Sequence, residues 1–196
     1  MNSIDELYDK NYYGSRMDFK EKVYPEISKA LTTILNPCNV VDVGCGNGVL
    51  SKGFSCKYMG IEGSKEGVGA TEARGLRVFW FDLREELLFE TLTGNKNDLA
   101  VSIEVAEHLE PEYADIFVGN LCELSNTIVL TASNVNDGGK YHFNPQPKSY
   151  WIEKFTAKGY KYKEDLTTEI TSIMKSNINT AYAYLWNNMM VFTNER

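Results

Sequence analysis

The chain of 196 residues is short of several things. It has two histidines, five prolines, no run of five like charges and no apolar run near the ~18 residues of a membrane span. Each shortage excludes something. A net charge of −7, from 20 Lys+Arg against 27 Asp+Glu, spread without a basic stripe, offers no electrostatic footprint for duplex DNA or an anionic membrane. The four cysteines, Cys38, Cys45, Cys56 and Cys122, form no C-x-x-C pair, which fits reduced thiols and argues against a zinc ribbon or disulfide framework. The start, Met1-Asn2-Ser3-Ile4-Asp5-Glu6, lacks the basic and apolar regions of a signal peptide, so the expectation is a soluble, cytoplasmic protein with no membrane partner.

What is present suffices for an ordinary core: 43% hydrophobic and 12% aromatic residues, with no repeat or low-complexity segment. The expected organisation is one domain over 1–196, with a helical arm or lid in 1–36 and a core in 38–193. Phe19, Val23, Ile27, Ala30, Leu31 and Ile34 predict a helix over about Asp18 to Leu35, ended by Asn36-Pro37. Strands follow at Val40–Val43, Tyr58–Ile61, Val78–Phe81, Leu99–Ser102 and Thr127–Leu130. They alternate with helical stretches over about Gly48–Phe54, Lys65–Arg74, Pro111–Leu124 and Pro147–Lys158. Ala181–Trp186 and Met189–Phe192 read as a late strand pair or one long bent strand. Alternation of this kind makes an α/β fold with a parallel sheet covered on both faces, and ligands then lie beyond the carboxyl ends of the strands.

The loop after the first strand is Gly44-Cys45-Gly46-Asn47-Gly48, a G-x-G-x-G that lets the backbone turn sharply and a ligand lie against it. It is one residue tighter than the dinucleotide fingerprint. Asp42 just before it would repel a pyrophosphate and attract an ammonium, so the loop suits a ligand that is cationic there. Glu62, at the end of the second strand, can accept two hydrogen bonds from a ribose diol. Asp82 after the third strand can accept from an exocyclic amine or act as a helix cap.

With Val41-Asp42-Val43-Gly44-Cys45-Gly46-Asn47-Gly48, Gly60-Ile61-Glu62, Phe81-Asp82-Leu83 and Ser102-Ile103-Glu104-Val105-Ala106-Glu107-His108-Leu109, the chain resembles the class I S-adenosylmethionine-dependent methyltransferases. The resemblance runs from about residue 38 to 193. It implies a Rossmann-like, doubly wound, mostly parallel seven-stranded sheet whose last strand, near 182–193, is antiparallel. It implies S-adenosylmethionine as cofactor, held by Asp42, Gly44, Cys45, Gly46, Asn47, Glu62, Gly63, Asp82, Leu83 and Glu104.

Both histidines fall in loops at the ligand end. Methyl transfer to a hydroxyl needs alignment and removal of a proton, which a histidine can take directly or a divalent ion can ease by lowering the hydroxyl's pKa. The candidate catalytic groups are His108, His142 and Glu104. Glu104, Glu107, His108 and His142 also make a carboxylate and imidazole set suited to Mg²⁺, Mn²⁺ or Zn²⁺. Similar E-x-x-E-H elements occur in the small-RNA terminal ribose methyltransferases, where they bind a metal with a later histidine, and in the ubiquinone-pathway O-methyltransferases. His108 therefore stays open between base or substrate contact, metal ligand and structural residue, and a structural or exposed role for His142 stays open too.

Residues 138–152 resemble the acceptor loop of small bacterial and phage methyltransferases. His142, Asn144 and Gln146 are expected to face substrate there, and Trp151 and Phe155 to be core. The aromatic start, Tyr8 to Tyr13, resembles a lid but reads equally as a loosely packed arm. The expected activity is O-methylation of a small-molecule or sugar-like (glycan) hydroxyl, with nucleic acid disfavoured. The alternatives are a metal-dependent RNA ribose 2′-O-methyltransferase and a non-catalytic S-adenosylmethionine-binding module.

Overall fold

A computed structural model describes residues 4–9, 12, 17–87 and 95–195. The expectation for Tyr8 to Tyr13 lies partly outside this set, since only Tyr8, Asp9 and Tyr12 are described.

A short helix, α1 (Ile4–Leu7), precedes α2 (Met17–Leu35). Ile27, Ala30 and Leu31 of α2 are fully buried. The helix stops where Asn36 takes a left-handed φ of 44° ahead of Pro37, a conformation asparagine tolerates better than most residues. Then come β1 (Asn39–Val43), a 3₁₀ turn (Val49–Gly53), β2 (Lys57–Glu62), α3 (Lys65–Glu72) and β3 (Arg77–Trp80). Ser64 caps α3 by accepting the Gly67 amide at 3.1 Å. After β4 (Leu99–Ile103), 3₁₀ turns at Ala106–His108 and Pro111–Tyr113 lead into α4 (Ala114–Leu124) and β5 (Thr127–Thr131). The rest is α5 (Lys148–Ala157), β6 (Lys161–Tyr162), α6 (Glu164–Asn177), a 3₁₀ turn (Thr180–Tyr182), α7 (Ala183–Asn187) and β7 (Met190–Thr193).

The strands form one seven-stranded sheet in the order β3-β2-β1-β4-β5-β7-β6. All pairs from β3 to β5 are parallel, and β7 runs antiparallel to both β5 and β6. Pleating sends alternate residues to opposite faces. Val41, Val43, Ala100, Ile128, Leu130 and Phe192 pack with α4 and α5, including Phe117, Trp151 and Phe155. Val40, Leu99, Val101, Val129 and Val191 pack with α2, α6 and α7. Trp151 and Phe155 are wholly buried, as their i, i+4 spacing predicts. Among the described residues no helix is long and apolar enough to cross a membrane.

Two departures from the sequence reading have clear causes. Ala181–Trp186 is helical, not a strand, so the last strand is only Met190–Thr193. Tyr182, Leu185, Trp186 and Met189 recur at helical spacing into the α2-side core, and the Asn179 side chain caps the Ala181 amide at 2.8 Å. Helix α6, together with the two-residue β6, is an element the sequence does not announce. Its buried face mixes Ile170 and Met174 with Thr167 and Thr171, which blurs the apolar period.

The order reverses beside β1, between β2 and β4, and there the carboxyl ends of the strands open the crevice where α/β sheets take their ligands.

Candidate functional site

The loop after β1 has the backbone its sequence demands. Gly44, Gly46 and Gly48 have φ of 75°, 57° and 70°, a region that costs a side-chain-bearing residue about 1–2 kcal/mol. Gly44 is further constrained, because a Cβ there would lie 2.6 Å from Val105 Cγ2. The Gly44 and Cys45 amides both donate to the Ile61 carbonyl, at 2.8 and 3.1 Å. The Thr71 hydroxyl donates to the Gly46 carbonyl at 2.9 Å, and Arg74 Nε to the Asn47 carbonyl at 2.6 Å. Glu62 joins the two strand ends: its Oε2 accepts the Gly46 amide and its Oε1 the Ser64 amide, each at 2.8 Å. The loop is therefore held open before any ligand arrives.

Asp42 is 3% exposed. Burial pushes its carboxyl up to about 7; the hydrogen bond donated by the Tyr58 hydroxyl and the charge of Lys20 pull it down, and Glu62 pushes it up. At the far side Asp82 accepts the Arg84 amide at 3.0 Å and grips the guanidinium at 2.6 Å. Burial works against the Asp82 charge, but the Arg84 hydrogen bonds outweigh it and hold the carboxyl below its usual range. The described residues after Asp82, up to Leu87, hold a turn and no helix, so the cap it makes closes a turn.

Beyond β4, Glu104 has a left-handed φ of 55°, uncommon for a residue with a side chain. Its amide donates to Thr131 Oγ1 at 3.0 Å, and its Oε2 accepts the Ser133 hydroxyl at 3.2 Å. Its Oε1 is buried without a hydrogen-bond partner among the described residues. Burial raises the Glu104 carboxyl to about 7, against the pull of Thr131 and Ser133. Glu107 is fully buried, and its carboxyl is raised by burial and then by the charge of Glu104. His108 Nδ1 lies 2.9 Å from the Tyr141 carbonyl. A carbonyl can only accept, so Nδ1 carries the hydrogen and Nε2 holds the basic lone pair.

One cavity of about 450 Å³ unites these residues. Asp42, Gly44, Cys45, Gly46, Asn47, Glu62, Gly63, Asp82, Leu83 and Glu104 all line it, as does His108. His142 does not. It sits behind His108, ring centroids 4.7 Å apart at 90°, with Nε2 3.9 Å from Glu107 Oε1. Ligand atoms of Glu107, His108 and His142 lie within 4.8 Å of one another; Glu104 stands outside that group, in the cavity wall.

Asn144 and Gln146 also turn away from the cavity. Asn144 is 1% exposed and accepts the Gln146 side-chain amide at 2.9 Å. Tyr141 and Phe143 line the cavity in their place. The Phe143 and Asn144 amides both donate to the Glu107 carbonyl at 2.9 Å, and this clasp fixes which alternate residues face inward.

The sequence names a lid-like stretch at Tyr8 to Tyr13 but gives no sign of Ile4, Leu7, Lys20 or Tyr24 at the cavity. Ile4, Leu7, Tyr8 and Tyr12 of the arm and Lys20 and Tyr24 of α2 line the cavity. Tyr8 meets His108 edge-on at 5.8 Å, and Lys20 Nζ lies 5.2 Å from the centre of the Tyr24 ring. Placement of a helix over a sheet is tertiary and leaves no local motif.

A family model described as methionine biosynthesis protein MetW matches residues 25–112. A search of curated proteins by sequence found no match. Among solved structures, a SAM-dependent methyltransferase from Archaeoglobus fulgidus is 18% identical over 95% of this chain and 100% of that one, with a TM-score of 0.64. The methyltransferase domain of bacterial CtHen1 is 19% identical over 90% of this chain and 100% of its own, with a TM-score of 0.62. Magnesium protoporphyrin IX methyltransferase from Synechocystis, with bound SAH, is 16% identical over 81% and 83%, with a TM-score of 0.61. Strand order, glycine loop and these likenesses agree: the chain has the class I S-adenosylmethionine-dependent methyltransferase fold.

Proposed function

We propose that the protein is an S-adenosylmethionine-dependent methyltransferase acting on a hydroxyl of a small-molecule or sugar-like acceptor. The observation that carries this reading is the charge of the cavity. Asp42, Glu62, Asp82, Glu104 and Glu110 line it against Lys20 and Arg84, and Arg84 is taken up by Asp82. Such a wall suits a cationic ligand and disfavours a pyrophosphate. The volume of about 450 Å³ falls within the ~300–1,000 Å³ usual for small-molecule sites.

S-adenosylmethionine supplies, when bound, a methyl group on a positively charged sulfur. In this reading Asp42 and the glycine loop hold its amino-acid end, Glu62 its ribose, and Asp82 with Leu83 its base. Tyr8, Tyr12 and Phe143 exclude water from the acceptor side. His108 takes the acceptor's proton on Nε2, while its Nδ1–H bond to Tyr141 fixes the ring; His142 and Glu107 support that ring from behind. Proton removal of this kind contributes about 10²- to 10⁴-fold, and alignment of the reacting atoms about 7–11 kcal/mol.

A second reading rests on a separate observation. Both carboxylate oxygens of the buried Glu107 lack a hydrogen-bond partner among the described residues, and His108 and His142 stand beside them. These three residues, two imidazoles and one carboxylate, fit a divalent ion such as Mn²⁺ or Zn²⁺, which would lower the pKa of the acceptor hydroxyl, and the same chemistry would serve a ribose 2′-hydroxyl of RNA. The net charge of −7 weighs against RNA, whose affinity comes largely from phosphate neutralisation.

Calorimetry with S-adenosylhomocysteine on the parent and Asp42→Ala, with and without Mg²⁺ or Mn²⁺, tests the proposal together with a methyl-transfer screen. Binding by the parent and loss in Asp42→Ala are expected, and no binding by the parent overturns the reading. Binding without turnover on any hydroxyl acceptor favours a non-catalytic module. Activity indifferent to divalent ions removes the metal, and salt-sensitive RNA binding revives the RNA acceptor.

A further inference from the structure

At the end of the sheet away from the cavity, β1 and β2 begin side by side with Asn39 opposite Lys57. The Lys57 amide also donates to the Cys38 carbonyl at 3.3 Å, the bond a parallel ladder makes when Cys38 stands opposite Cys56. Neighbouring strands run about 4.8 Å apart, inside the ~4.4–6.8 Å between Cα atoms that a disulfide spans. Both cysteines occupy bends immediately before their strands, where the backbone can adjust. Cys38 is exposed and Cys56 half-buried, and both thiols are free. Cys45 and Cys122 are buried elsewhere, in the glycine loop and on α4.

We propose that Cys38 and Cys56 form a dithiol site, a place of covalent modification by small-molecule disulfides and by thiol-seeking trivalent arsenicals. The Cys38 thiolate attacks one sulfur of glutathione disulfide. The reagent's S–S bond breaks, one glutathione leaves, and a mixed disulfide stands on Cys38. Cys56 then loses its proton to solvent and attacks the Cys38 sulfur, forming the Cys38–Cys56 bond and expelling the second glutathione. The reagent gains two electrons and the protein loses two thiol hydrogens. Burial raises the Cys56 thiol, which leaves Cys38 as the point of entry. The ring so closed encloses the whole glycine loop, while the bond itself lies at the opposite end of β1 from Asp42.

The test treats the folded protein with glutathione disulfide at pH 8, alkylates remaining thiols and maps peptides by mass. A Cys38–Cys56 linked peptide, a loss of two thiols per chain and reversal by dithiothreitol are expected; Cys38→Ser and Cys56→Ser form no internal link. Full alkylation of both residues, a lasting glutathione adduct on Cys38 of the parent, or a link to Cys45 or Cys122 overturns the proposal. Phenylarsine oxide provides a measurement without oxidant. One arsenic per parent chain surviving a monothiol wash, and none on either serine variant, is expected. Equal retention by parent and variants overturns the proposal.

Discussion

Asp42 makes the cofactor site sensitive to pH, and its environment gives the size of the effect. Burial lifts its carboxyl from an ordinary value of 3.8 to about 7, so below neutrality the ligand-free protein holds a proton there. An ammonium group against Asp42 favours the charged form and returns the group toward its ordinary range, so binding releases that proton. Affinity for S-adenosylhomocysteine therefore rises with pH up to about 7 and then levels. With a free value of about 7 and a bound value near 4, the fall from pH 8 to pH 5.5 weakens binding about 30-fold. Calorimetry in two buffers of different ionisation enthalpy counts the released proton directly. Asp42→Asn binds more weakly at pH 8 and loses this share of the pH dependence; Glu104, also raised to about 7, can keep a share of its own. Stability of the ligand-free protein runs the other way. The folded value lies above the unfolded one, so this contribution is full below about 4 and is lost as pH rises through about 7, at most about 4 kcal/mol. Parent and Asp42→Asn profiles that superimpose, or proton uptake on binding, would refute the reasoning.

Other substitutions test other parts of the molecule. Gly44→Ala combines a φ of 75° with a Cβ 2.6 Å from Val105 Cγ2; a loss of about 3 kcal/mol, or about 6–12 °C in Tm, is expected, partly restored by adding Val105→Ala. Parent-like melting of the single variant would show that the loop can shift. Tyr58→Phe removes the donor that draws Asp42 down, so the pH midpoint of S-adenosylhomocysteine binding moves upward; an unchanged midpoint would deny Tyr58 that role. His108→Ala lowers kcat about 10²- to 10⁴-fold in a methyl-transfer assay while leaving S-adenosylhomocysteine affinity near the parent value. Phe155→Ala, at a wholly buried ring 4.2 Å from the Phe192 ring, costs about 3–5 kcal/mol by denaturant unfolding.

The parts of this protein that could be read from sequence are those where the backbone itself constrains residue type. Gly44, Gly46 and Gly48 are glycines because their φ values are positive, so the loop was legible, and the acids at the ends of β1, β2 and β3 followed from strand counting. Phase in irregular backbone was not legible. In the loop after β5, the cavity faces Tyr141 and Phe143 instead of His142 and Asn144, because two amides of the loop clasp the Glu107 carbonyl. Composition misled at Ala181–Trp186, where tyrosine, leucine and tryptophan suggest a strand while their spacing makes a helix. Lys20 and Tyr24 reach the cavity only because α2 lies over the mouth of the sheet, a contact between segments with no signature in either.

The position of β7 constrains the order in which the molecule can assemble. This strand follows β6 in the chain, yet it is inserted between β5 and β6, with Met190, Val191 and Phe192 wholly buried. Until it docks, β5 presents an open edge and β6 has no strand to pair with. A growing chain can form the parallel half of the sheet early, but the last half must wait for a pairing between distant segments, which closes slowly. During that interval the unpaired edge of β5 is open to pairing with another chain.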